Sequence, residues 1–319
     1  MSTTPVYLTS SDTNAPDLDG TPGALNNVLK WALPQMGWTV EFEDAAQQKV
    51  VYRNSPVDGL GAYIQVDDSA SIASSYSAYA VPITGYGSMT AVDTGAGQFA
   101  TNNKILRYPA DESSPNGPRT WRIVGDNRTF YWMPEVRYWQ WPALQGFGEF
   151  YSYVPTDNGY FFINGLGLNP DTNEYTHLFA RDGAFSVTLF NHDGTIANRP
   201  IWTYMNRQAF GNSQSVYPFD GNTIYQPLGG TFLLAPIALM ERIDAVSTSS
   251  FAVRGHFRGL YLPSCNIDLS GHSLFSQAVL NTPNGAHNCL AVKSARYVSS
   301  TSSTSSNAPH CWIDLESWG

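Results

Sequence analysis

Thr120-Trp121-Arg122-Ile123-Val124, then Gly125-Asp126-Asn127, then Thr129-Phe130-Tyr131-Trp132 is the stretch that decides the fold class. Two runs of β-branched and aromatic residues flank a cluster of turn formers, the composition of an antiparallel hairpin. The same grammar extends upstream. Trp38-Thr39-Val40-Glu41-Phe42, Lys49-Val50-Val51-Tyr52-Arg53 and Ala62-Tyr63-Ile64-Gln65-Val66 read as successive strands, with Asp58-Gly59 as a turn between the last two, and Ala78 to Thr84 continues the series. Downstream, strands are predicted at Gly146–Phe150, Gly159–Ile163, Ala184–Phe190, Gly230–Leu234, Ala252–Phe257 and Cys311–Leu315. The 27 glycines and 20 prolines interrupt the chain too often for long helices. The expected class is all-β, with antiparallel sandwich or barrel-like domains.

One helix is predicted, from Gly23 to Leu33. Leu25, Val28, Leu29 and Ala32 share a face at helical spacing, Pro22 precedes it and Pro34 ends it. The 319 residues suggest three parts: an extended N-terminal arm over 1–23, a β-rich domain with the helix over 24–145, and a second β-rich domain over 146–319. The arm is expected to order along a neighbouring subunit. Ser299 to Asn307, almost pure Ser and Thr, reads as a mobile loop.

Charged residues make up only 13% of the chain, with four lysines beside thirteen arginines, nine tryptophans and eighteen tyrosines. Soluble domains usually carry about 25% charged residues. Arg, Trp and Tyr are enriched at protein interfaces, whereas Lys is depleted there. The composition therefore predicts a surface covered by other protein. A formal net charge of −9, with no basic run, argues against direct nucleic-acid binding. The longest apolar stretch, Phe232 to Met240, is too short for a membrane span and contains Pro236, so no membrane insertion is expected. Met1 to Ser11 lacks the basic and apolar regions of a signal peptide, which predicts folding in a cytoplasm. Three cysteines, Cys265, Cys289 and Cys311, are too few for a disulfide scaffold and read as reduced, buried thiols.

Motifs with chemistry are sparse. Ala91-Val92-Asp93-Thr94-Gly95-Ala96 has the form of an aspartic-protease loop, but that chemistry needs a second carboxylate and the motif has no second copy, so Asp93 reads as a turn residue. Cys265, His272, His287, Cys289, His310 and Cys311 are suitable zinc ligand types without a ligand-pair spacing. Asp17, Asp19 and the pair Asp67-Asp68 lack the oxygen density of a calcium loop; Asp19 reads as a turn, Asp67-Asp68 as a solvated strand end. No Gly-x-Ser-x-Gly elbow occurs. No catalytic residue, metal or cofactor is expected. The densest aromatic region runs from Trp132 to Tyr153, and Trp132, Arg137, Tyr138, Trp139, Trp141, Tyr151 and Tyr153 are the candidate contact residues. Subunit contact is favoured over stacking on a sugar.

Several collinear segments resemble a family of uncharacterised structural proteins of tailed phages and prophages. They include Leu18-Asp19-Gly20-Thr21-Pro22-Gly23-Ala24-Leu25, Val51-Tyr52-Arg53-Asn54-Ser55 and Tyr63-Ile64-Gln65-Val66-Asp67-Asp68. The most distinctive are Gly85-Tyr86-Gly87-Ser88-Met89-Thr90-Ala91-Val92-Asp93-Thr94-Gly95-Ala96-Gly97-Gln98-Phe99 and Val124-Gly125-Asp126-Asn127-Arg128-Thr129-Phe130-Tyr131. Later come Leu234-Ala235-Pro236-Ile237, Arg254-Gly255-His256-Phe257-Arg258-Gly259-Leu260-Tyr261 and Leu315-Glu316-Ser317-Trp318. Asn164 to Tyr225 departs most from the pattern. The resemblance implies a multicopy virion component of tail, neck or baseplate, made in the bacterial host cytoplasm, whose partners are other virion proteins and copies of itself. The alternatives are a module binding host-surface glycan and a capsid decoration protein.

Overall fold

A computed structural model describes residues 2–69, 80–107, 118–134, 144–168, 175–176, 188–189, 202–204, 234–242, 251–263, 275–292 and 311–318. The expectations placed on Arg137, Tyr138, Trp139, Trp141, Cys265, His272, His310 and the Ser/Thr run at 299–307 fall outside these residues.

The chain is all-β, with antiparallel sheets and, among the described residues, one short α-helix. In order, the first half contributes β1 (Val6–Thr9), α1 (Ala24–Ala32), β2 (Thr39–Asp44), β3 (Lys49–Arg53), β4 (Tyr63–Asp67), β5 (Ala80–Tyr86), β6 (Ser88–Ala91), β7 (Thr94–Ala96), β8 (Phe99–Leu106), β9 (Trp121–Gly125) and β10 (Thr129–Pro134). The second half contributes β11 (Gln145–Ser152), β12 (Phe161–Asn164), β13 (Leu166–Leu168), β14 (Tyr175–Thr176), β15 (Thr188–Leu189), β16 (Trp202–Tyr204), β17 (Leu234–Arg242), β18 (Phe251–Pro263), β19 (Gln277–Thr282), β20 (Gly285–Val292) and β21 (Cys311–Asp314).

Among the described residues, seven strands form one sheet in the order β14-β13-β8-β5-β4-β3-β2. Twelve form another, whose main path is β1-β9-β10-β11-β18-β21-β20-β19. The β9–β10 hairpin turns at Gly125-Asp126-Asn127 as its composition predicts, with Phe130 opposite Gly125 and Trp132 opposite Ile123. The boundary expected between 145 and 146 falls inside β11, which pairs with β10 on one side and with β12 and β18 on the other.

Strands β9 to β12 carry apolar side chains on both faces. Trp121, Ile123, Phe130, Trp132, Phe147, Phe161 and Ile163 join a core with α1 and the seven-stranded sheet. Val124, Tyr131, Met133, Phe150 and Phe162 instead pack with Phe257, Leu260, Leu290, Ile313 and Trp318. This two-sided burial explains why β10 reads as an unbroken apolar run rather than an alternation. A sandwich of half-solvated strands alternates; β10 does not because it is an inner layer.

Helix α1 presents the predicted face: Leu25, Val28, Leu29 and Ala32 are fully buried. Its start has no local side-chain cap, and Gly23 adopts the left-handed conformation there. The cap comes from Asp68, at the end of β4, whose Oδ2 accepts the Leu25 and Asn26 amides at 2.9 and 3.2 Å. Its other oxygen accepts Arg107 Nη1 at 2.9 Å. Burial raises the Asp68 pKa, against the opposing pull of Arg107. Asp68 is therefore a buried cap and not the solvated strand end expected from sequence. Asp67, the last residue of β4, is part-exposed and accepts the Ser69 amide.

Residues 2–23, part strand and part turn, lie on their own chain. Strand β1 pairs with β9, Leu18 bridges to Arg119, and Thr3 bridges to Trp318. Leu18 is fully buried, so this segment is ordered by its own chain. An apolar side chain of that size is better covered at home than left for a neighbour to cover.

Trp318 closes the structure. It is fully buried, meets Tyr131 edge-on at 5.5 Å, and donates its indole N–H to the Asp314 carbonyl at 2.7 Å. Gly259, at φ +61, makes room: a Cβ there would sit 2.0 Å from Trp318 Nε1. Trp318→Ala should cost about 3–5 kcal/mol in urea denaturation. Gly259→Ala should also destabilise, but the double variant should lose less than the sum, because removing the indole removes the clash; strict additivity would contradict the packing.

Candidate functional site

Strands β11 and β18 pair with Phe150 opposite Phe257, Tyr151 opposite His256 and Ser152 opposite Gly255. Alternation along a strand sends neighbours to opposite faces. Phe150 and Phe257 point into the core, so Tyr151 and His256 stand together on the other face. Their rings stack at 5.2 Å and 7°. Tyr153 completes a strip: its ring lies 5.4 Å from His256, and its hydroxyl is hydrogen-bonded to His256 Nδ1 at 2.8 Å. At 58% exposure, Tyr153 is the large aromatic side chain that this strip presents to solvent.

Two buried arginines support it. Arg254 forms a two-pronged pair with Asp157, Nε to Oδ2 and Nη2 to Oδ1, both at 2.7 Å. Ser152 Oγ and the Gly159 amide add bonds to the same carboxylate at 2.6 and 2.8 Å. Burial opposes the charge on Asp157, but these donors outweigh it and its pKa lies below the usual value. The Tyr153 amide donates to the Arg254 carbonyl at 2.8 Å, which ties the strip to this pair. Arg258 lies 5.2 Å from the Tyr151 ring and donates through Nη2 to Asp126 Oδ2 and Thr3 Oγ1 at 2.5 and 3.0 Å. Its Nε and Nη1 have no hydrogen-bond partner among the described residues, and the Tyr151 face is what meets the cation instead. Burial, followed by the charge of Arg258, pushes the His256 pKa down to about 4. The imidazole is neutral at physiological pH. The strip can stack and hydrogen-bond, but it carries no net charge at its tip.

Of the candidate residues, Tyr151 and Tyr153 are brought together here, whereas Trp132 is not. Trp132 is fully buried, 6.0 Å from Trp121, and donates its indole N–H to the Leu106 carbonyl at 2.7 Å. It is a core residue and cannot meet a partner, because β10 is covered on both faces. His256, Arg254 and Asp157 were not singled out as candidates from sequence. The readable signal was the close spacing of Arg254, His256 and Arg258 in one strand, although irregularities in β18 on either side of Gly255–His256 break strict alternation there.

The arginine and tryptophan content also finds its place inside. Arg107, Arg254 and Arg258 are fully buried, as are Trp38, Trp121, Trp132, Trp312 and Trp318. Arg128 Nε donates to the buried Glu149 at 2.7 Å, and Asn54 and the Leu60 amide fill the other carboxylate oxygen. Much of the composition that suggests an interface thus serves internal ion pairs and core packing.

Asp93 occupies the β6–β7 turn at φ 58. Lys49 Nζ and Gln65 Nε2 donate to its two oxygens, each at 2.6 Å, and the Lys49 bond lowers its pKa. A carboxylate held ionised by lysine is not one that shares a proton with a second acid. Cys289 and Cys311 are buried free thiols, the first pushed up to about 12 by burial and the second also raised by burial. His287 Nδ1 pairs with Asp314 Oδ2 at 2.6 Å, yet among the described residues no three His, Cys, Asp or Glu side chains gather as a metal site. In comparisons with known proteins, no family model matches the chain and no curated protein matches it significantly.

Two measurements check this geometry. Asp157→Ala should cost about 3–5 kcal/mol by removing the two-pronged partner of the buried Arg254, and Asp157→Leu combined with Arg254→Met should recover part of that loss. For His256, the unfolded imidazole binds its proton near pH 6.5, well before the folded one, so its contribution is full above pH 6.5 and is lost as pH falls towards 4. NMR should show a neutral ring from pH 7.5 to 5. The stability difference between wild type and His256→Gln should shrink over the acid range; a ring titrating near 6.5 would contradict its burial.

Proposed function

We propose that the chain is a non-enzymatic structural subunit of a tailed-phage particle, in the tail, neck or baseplate, acting through contacts with other virion proteins and with copies of itself. The observation that carries this reading is one exposed tyrosine, Tyr153, preorganised on a part-buried aromatic base in a charge-poor protein. Tyr153 projects from a rigid base of Tyr151, His256 and the Asp157–Arg254 pair. Holding a tyrosine in place before contact reduces the ordering cost of binding, and tyrosine is among the residues that dominate interface energetics. The 13% charged composition and the collinear resemblance to phage structural proteins support the same reading.

A second reading rests on the same rings. A neutral imidazole and two tyrosines form an apolar face with hydroxyl groups at its margin, suited to stacking on a sugar ring of a host-surface glycan. One variant separates the two. Tyr153→Ala should leave the fold unchanged and reduce incorporation into particles by about 30-fold or more, the effect of losing a contact worth about 2 kcal/mol. Normal incorporation with lost adsorption to host cells would favour the glycan. Particles that incorporate and adsorb normally would remove the strip from both.

A further inference from the structure

We infer that the outer edge of β19 pairs with the same edge of a second copy of this chain, antiparallel about a twofold axis through Val279. The inference borrows from the subunit reading only its choice of occupant.

The edge is defined by its ladder. Strand β19 pairs with β20 from Gln277↔Leu290 to Thr282↔Gly285 without a bulge, and it ends the path of the large sheet. The Ala291 amide donates to the Ser276 carbonyl at 2.9 Å and Thr282 stands opposite Gly285 across a two-residue turn, so within β19 the even-numbered residues turn their backbone groups towards β20; Phe275, ahead of the strand, also donates to the Ala291 carbonyl at 2.8 Å. In an antiparallel ladder the alternate residues turn theirs away. The N–H and C=O groups of Gln277, Val279 and Asn281 therefore face outward, and among the described residues no strand pairs there.

Native sheets blunt such edges with charge, irregularity, proline or shortness. Strand β2 does so with Glu41, Glu43, Asp44 and an irregularity between Val40 and Phe42. Strand β1 has only four residues. Strand β19 has none of these devices: Gln-Ala-Val-Leu-Asn-Thr holds no charge and no proline, and Val279 is 70% exposed.

The sequence of the edge complements itself. With the axis at Val279, that valine lies against its own copy in a hydrogen-bonded pair, and Gln277 lies opposite Asn281 on either side. Side chains of opposite residues share a face, so valine meets valine and carboxamide meets carboxamide. Asn288 Nδ2 donates to Gln277 Oε1 at 2.8 Å, which leaves the Gln277 NH2 group for the Asn281 oxygen of the second copy. Each chain carries a net charge of −9, so a self-contact must avoid opposing carboxylates; this seam does, whereas β2 against itself would not.

Cysteine crosslinking of the full chain tests the pairing. Hydrogen-bonded antiparallel partners place their Cα atoms about 5.5 Å apart and their Cβ atoms at a similar distance, too far for an unstrained disulfide but within the span of a short bis-maleimide. Treated with that reagent, Val279→Cys should give a covalent dimer on a denaturing gel. Wild type and Val57→Cys, at an 89% exposed site elsewhere, should not. In sedimentation, Val279→Lys should weaken self-association at least tenfold with unchanged circular dichroism. Crosslinking no faster at 279 than at 57, or unaltered association of the lysine variant, overturns the inference. A crosslinked dimer whose chain never copurifies with phage particles upholds the edge pairing and removes the virion reading. Copurification without the crosslink does the reverse.

Discussion

The buried charge pair between Asp126 and Arg258 is the constraint on which most of the structure converges. Asp126 sits in the β9–β10 turn, where its Oδ1 accepts the Arg128 and Thr129 amides at 2.9 Å each. Its Oδ2 takes Arg258 and Thr3, and its carbonyl takes the Trp38 indole N–H at 2.9 Å. One residue thus joins the N-terminal segment, Trp38 in the connection from α1 to β2, the central hairpin and β18. Two opposite charges withdrawn from water need excellent geometry to offset desolvation. The donors around Asp126 satisfy the carboxylate, while the Arg258 guanidinium, whose Nε and Nη1 have no hydrogen-bond partner among the described residues, faces the Tyr151 ring.

Three further ionic nodes repeat this design. Asp68 links α1, β4 and Arg107; Glu149 links the 54–60 loop to Arg128; Asp157 links β11 to β18. Each spans elements distant in sequence. Together they explain why a chain with few charges still spends arginines in its interior, where a planar guanidinium can satisfy a carboxylate with two parallel bonds. The surface is left poor in charge, and the aromatic strip on β11 and β18 stands on one of these nodes.

Local elements were readable wherever one physical signal dominated. The helical face of Leu25, Val28, Leu29 and Ala32 stands where its periodicity puts it, and the strand Lys49–Arg53 where its run of β-branched and aromatic residues puts it. The β19–β20 hairpin carried a usable cue in Pro283-Asn284-Gly285, and Val6–Thr9 was hidden by its polar surroundings. The candidate site was half legible. Tyr151 and Tyr153 stood out by aromatic density, but so did Trp132, and density cannot distinguish a ring that faces solvent from one sandwiched between layers.

Sequence alone determined the all-β class, the single helix and the turn at Asp126, because these follow from side-chain shape and backbone preference over a few residues. Only the tertiary structure decided that β9 to β12 form an inner layer, that Asp68 caps a helix 43 positions away, and that His256 lies under Tyr153. Those facts depend on which strands become neighbours. Long-range pairing is set by the summed burial of both faces and by buried charges finding partners, and neither quantity is carried by any short stretch of the chain.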